Sequence, residues 1–75
     1  MANRADRYPE NVTGRYYVDH QCIDCDLCRT VAPLNFVRHE GGGYSYVYKQ
    51  PSGPEQEAAC KQAREECPVD AIGDE

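Results

Sequence analysis

The segment "CIDCDLC", residues 22–28, sets Cys22, Cys25 and Cys28 three positions apart. No other feature restricts so strongly what this chain can become. At 75 residues with five Cys, the chain is one small domain, below the size at which an apolar core alone gives comfortable stability. Such cysteine density means a disulfide framework or a metal site. Five is odd, so the cysteines cannot all pair within the chain. The opening stretch "MANRADRYPENVTG" has no apolar run that could form a signal-peptide core, and no segment approaches the length of a bilayer span. The expectation is therefore the cytoplasm, where thiols stay reduced and clustered cysteines bind metal rather than each other.

Charge narrows the partners. Eight Lys+Arg against 13 Asp+Glu leave a formal net charge of -5. A nucleic acid partner is excluded, because phosphate binding needs a basic face. An acidic chain instead suits partners with basic docking patches.

Residues 1–14 read as an extension punctuated by Pro9 and Gly14. "NVT" at Asn11 formally matches a glycosylation acceptor but reads as an exposed polar tail in a protein that is not secreted. "RYYVDH", residues 15–20, predicts a short strand running into the cysteine segment. "LNFVR" and "YSYVYK", separated by "HEGGG", predict a hairpin. Tyr44, Tyr46 and Tyr48 share one face of it, and Ser45, Val47 and Lys49 the other; the tyrosine stripe reads as sheet packing. After the loop "QPSGP", Ser52 with Glu55 resembles a helix-start box, and Pro54 fits the first turn. The predicted helix, 54–66, places Ala59, Cys60, Ala63 and Cys67 along one small-residue side, with Glu57 and Lys61 paired on the wet side. Pro68 forbids continuation, so Cys67 falls at the helix end and "VDAIG" leaves as a short strand. Cys60 reads as a buried small residue, His20 as a strand-end residue and His39 as a turn residue. No Ser/His/Asp or paired-carboxylate arrangement suggests an enzyme.

An offset of 35 lays Cys22 on Glu57, Cys25 on Cys60, Cys28 on Ala63, Ala32 on Cys67 and Pro33 on Pro68. The halves carry complementary remnants of one motif, C-x2-C-x2-C-x3-C-P, which is the bacterial ferredoxin run. On "CIDCDLC", the following "AP", "GYSYVYKQP" and "CPVDAIG", the chain resembles the bacterial-type ferredoxins with a single 4Fe-4S cluster over about residues 15–73. The resemblance implies an α+β fold, β-α-β-β-α-β, formed by residues 15–75 around one 4Fe-4S cluster. It implies Cys22, Cys25, Cys28 and Cys67 as ligands, with Ala32 standing where a ligand to a second cluster would stand. It also implies a one-electron carrier of low potential, a monomer that serves redox enzymes.

Three departures from the family pattern stand out. Asp24 and Asp26 occupy places where many relatives have glycine, and Asp tolerates left-handed backbone better than most residues. Relatives often pair a cysteine at the position of Ala32 with one in the later helix, so Cys60 is expected to be an unpaired thiol. The extension lies outside the common pattern. Two further uses of four cysteines compete with the carrier. One is a structural zinc module, although zinc sites usually present two close C-x2-C pairs. The other is an iron-sulfur redox sensor, which would need an output surface.

Overall fold

Short β-prone runs separated by turn residues can bury an apolar face only by pairing with one another and packing on a helix. The computed structural model describes residues 2–24 and 26–74. After a 3-10 turn at Arg4–Asp6 come β1 (Tyr16–Val18), α1 (Leu27–Val31), β2 (Phe36–His39), β3 (Tyr44–Val47), α2 (Pro54–Glu66) and β4 (Ile72–Asp74). The order is the expected β-α-β-β-α-β. Two antiparallel ribbons form, β1 with β4 and β2 with β3. The first joins the two ends of the domain in the register Tyr16↔Asp74 and Val18↔Ile72. The second is the glycine-turn hairpin, Phe36↔Val47 to His39↔Tyr44, reversed through Gly41 and Gly43 at φ 82° and 70°. Gly73 serves a different end, because a Cβ there would run into the Tyr17 ring.

Tyr16, Val18, Phe36, Val47 and Ile72 form the core with Cys28, Ala32, Cys60, Ala63 and Ala71. The small inner face of α2 lets that helix pack closely against α1. Its first turn differs from the sequence expectation. Gly53, at φ 87°, is the N-cap, and no side chain caps the helix. Ser52 therefore stands one residue too early to act as a cap, and its N–H donates to Gln56 Oε1 at 2.9 Å. Glu57 meets Arg15, just before β1, at 3.4 Å, an ion pair that the helix spacing with Lys61 does not reveal. Among the described residues, no helix is long and apolar enough to cross a membrane.

The N-terminal segment corrects two further expectations. Ser45 and Val47, not the tyrosines, face the core; Tyr44 and Tyr46 are half-buried and Tyr48 is exposed. The N-terminal segment covers one of these tyrosines: Tyr8 stacks on Tyr44 with ring centroids 3.5 Å apart and planes within 4°. Glu10 closes this contact. Burial and a hydrogen bond to Glu10 push the Tyr44 hydroxyl up to about 12, and the same bond holds the Glu10 carboxyl below its ordinary value.

Asn11 is no polar tail. Its Nδ2 donates to the carbonyls of Tyr8 at 2.7 Å and Val18 at 2.9 Å. Its Oδ1 accepts from Val18 N at 3.1 Å and Val47 N at 2.9 Å. One side-chain amide thus ties β1 to β3, taking the place of a missing ladder between the ribbons. Asp19 anchors the segment a second time: fully buried, it accepts from the N–H of Asn3 at 2.8 Å and of Gln21 at 2.9 Å.

Asn11→Ala strips the partner from two backbone N–H groups, and each unsatisfied buried group costs about 1–3 kcal/mol. The variant is expected to lose ~2 kcal/mol or more in urea unfolding. A change within ~0.5 kcal/mol, the usual range for a surface site, would show that the segment is an appendage.

Candidate metal centre

At the end of β1 the backbone turns out of the sheet and into the cysteine segment. Asp19 N donates to Ala71 O at 2.8 Å, and Cys22 N donates to Asp19 O at 3.3 Å. Asp24 and Asp26 then adopt left-handed backbone at φ 59° and 73°, as the sequence led us to expect of Asp in those places. α1 begins at once and carries Cys28, which is buried, in its first turn. From the other side, α2 delivers Cys67 as its C-cap, and Pro68 and Asp70, the latter at φ 53°, bend the chain back toward β4.

Cys22, Cys28 and Cys67 line one recess whose walls include Val18, Val69 and Ile72. Cys25, the fourth predicted ligand, lies outside the described residues. Among the described residues, no three His, Cys, Asp or Glu side chains converge on a point that a single ion could occupy. Among the described residues, backbone N–H groups reach the cysteine sulfurs from Ala71 to Cys67 Sγ at 3.2 Å, and from Ser45 and Asp24 to Cys22 Sγ at 3.4 and 3.5 Å. In iron-sulfur proteins such donors tune the metal group the sulfurs hold. Sulfur ligands spread around an apolar-walled recess and met by amide donors fit a multi-iron cluster.

Cys60 is apart from this site. It is fully buried in the core and is not among the residues lining the recess. Burial first, and then the Glu57 charge, push its thiol up to about 11.

Sequence reasoning missed the cations around the loop. Asp24 lies between Arg29, at 2.8 Å, and Arg38, at 3.0 Å, and these hydrogen bonds hold its carboxyl below the ordinary range. Asp26 pairs with Arg29 at 2.8 Å, three residues on. That i,i+3 spacing was the one readable signal; Arg38 arrives from β2 and Ser45 from β3, which no local pattern reveals.

A two-ribbon, two-helix fold that gathers cysteines from both halves around one recess defines a small iron-sulfur protein. The family described as "4Fe-4S single cluster domain of Ferredoxin I" matches residues 18–74, and the chain belongs to that family. It is similar to ferredoxin I from Desulfovibrio africanus: 34% identity, TM-score 0.70, 84% of this chain and 97% of that one covered. It is also similar to ferredoxin 1 of Hydrogenobacter thermophilus: 30% identity, TM-score 0.66, 81% and 94% covered. No curated protein matches the chain. The chain is a small iron-sulfur electron carrier. The family match starts at Val18, which leaves Tyr8 and Asn11 outside it.

The thiolate is the form that reacts with alkylating reagents, so a buried thiol whose pKa is pushed up to about 11 is expected to be inert at mildly alkaline pH. Iodoacetamide at mildly alkaline pH should leave Cys60 of the native protein unmodified and label it after denaturation, as read by peptide mass spectrometry. Labelling of the native protein at the rate of a free thiol would place Cys60 elsewhere than in the core.

Proposed function

We propose that the chain holds one 4Fe-4S cluster on Cys22, Cys25, Cys28 and Cys67 and moves single electrons at low potential between redox enzymes with basic docking patches. It acts as a cytoplasmic monomer and performs no catalysis of its own. Residues 15–75 form the cluster domain and residues 1–14 a strap added to it. The observation that carries this reading is the recess shared by Cys22, Cys28 and Cys67, with amide donors on two of its sulfurs.

The bound cluster supplies a one-electron couple between its 2+ and 1+ core states. The protein does the rest. Ser45 and Ala71 direct N–H dipoles at the sulfurs and offset the negative charge that accumulates there. Val18 and Ile72 keep water from the inner wall. Ile23 and Leu27, which also line the recess, are 60% and 39% exposed and offer an apolar contact through which an electron can leave. The formal charge of -5 steers the carrier toward a basic surface.

Anaerobic isolation followed by iron, sulfide and zinc analysis decides the composition: about four iron and four sulfide per chain are expected for a cubane, with an EPR signal appearing on one-electron reduction. Zinc without sulfide would establish a structural knot instead. Replacing Cys22, Cys25, Cys28 or Cys67 with Ser should abolish the normal 4Fe-4S signature, whereas Cys60→Ser should keep it. Loss of assembly in Cys60→Ser with retention in Cys67→Ser would overturn the ligand set.

Exposed charges are screened beyond about 10 Å at 0.1 M salt. Electron transfer to a partner with a basic docking face should therefore slow as salt rises. A rate indifferent to salt would remove electrostatic docking from the account.

A further inference from the structure

Arg29 follows Cys28 in α1, and its side chain is only 15% exposed. Three acceptors converge on its guanidinium. Nη1 donates to Asp24 Oδ1 at 2.8 Å and to Ser45 Oγ at 2.6 Å, and Nε donates to Asp26 Oδ1 at 2.8 Å. Asp24 and Asp26 flank Cys25 in the sequence, and both hold left-handed backbone. Ser45 is the residue whose N–H meets Cys22 Sγ. One planar cation thus fastens the cysteine loop on both sides of Cys25 to the strand that donates to the first cysteine. Arg38 adds a clamp on Asp24 but is half exposed, so water screens it more.

We propose that Arg29 is a positioning residue that latches the Cys22–Cys28 loop to β3, and that the latch sets the reduction potential and the retention of the cluster. The proposal rests on the ligand set given above. Its physical content is a charge balance and a geometry. Reduction adds one negative charge to the cluster. Asp24 and Asp26 oppose that addition, and Arg29 offsets them at hydrogen-bond distance. The guanidinium fork also holds Ser45 in place, and with it the amide donor on Cys22 Sγ. Lysine keeps the charge but carries all its donors on one nitrogen and lacks the planar fork that reaches these acceptors from Nε and Nη1.

The test uses the cluster-loaded protein. Iron, sulfide and EPR of the wild type come first, so that a chain without sulfide counts against the cluster reading and not against the latch. Arg29→Gln should then lower the potential in voltammetry at low salt, shifting the reduction equilibrium at fixed potential by about twofold or more toward the oxidised form. Arg29→Lys should recover part of that shift. In a cycle with Asp24→Asn, the two changes should be non-additive, as expected of groups in one network. Ser45→Ala keeps every charge and every sulfur while removing one anchor, and it should lose iron to a chelator several-fold faster than wild type. A wild-type potential and loss rate in Arg29→Gln would overturn the proposal. So would failure of Arg29→Gln to assemble together with a wild-type loss rate in Ser45→Ala.

Discussion

The pairing of β1 with β4 is the contact on which the rest of this small domain depends. Val18 lies opposite Ile72, and Asp19 N reaches the carbonyl of Ala71 at 2.8 Å. These bonds bring the entry to the cysteine loop against the segment just past Cys67, although the two are separated by most of the chain. Bringing distant segments together costs loop-closure entropy, and a bond that spans them returns it. In the proposed ligand set a cluster would be held by both segments, and folding and cofactor binding would then act on one junction.

Little else in the chain could supply that closure. The strands are three or four residues long, and the core depends heavily on Cys and Ala. The N-terminal strap is a polar solution to the same shortage. Rather than adding apolar area, it fills the space between the ribbons with the Asn11 amide, which makes two donor and two acceptor bonds to backbone groups of the strap itself and of both ribbons. Tyr8 then covers Tyr44, whose face is not directed into the core.

How much of this the sequence disclosed depended on whether the cause was local. The cysteine spacing, the left-handed tolerance of Asp24 and Asp26, the stop at Pro68 and the small inner face of α2 all act within a few residues, and all were legible. The strap was not, because Asn11 works through side-chain bonds to distant backbone, and such bonds leave no periodicity. The tyrosine stripe misled for the same reason: alternation identifies two faces but not which one is buried, and here the buried face carries only Ser45 and Val47. At α2, Ser52 supplied a capping residue type, yet Gly53, one position later and at positive φ, took the N-cap. Within the site, Cys67 could be placed at its helix end from sequence, while the short helix that carries Cys28 and the convergence of Arg29, Arg38 and Ser45 around Asp24 required the fold.

The central claim, that one cluster closes the β1–β4 junction, is tested most directly by amide hydrogen exchange on the loaded protein and on the same protein after anaerobic chelation. The account predicts that Asp19 and the paired residues of β1 and β4 are protected in the loaded protein and lose that protection, along with the spectral dispersion of the whole chain, once iron is removed. A cluster-free protein that keeps its dispersed spectrum and its β1–β4 protection would contradict it, since the junction would then stand without the cofactor.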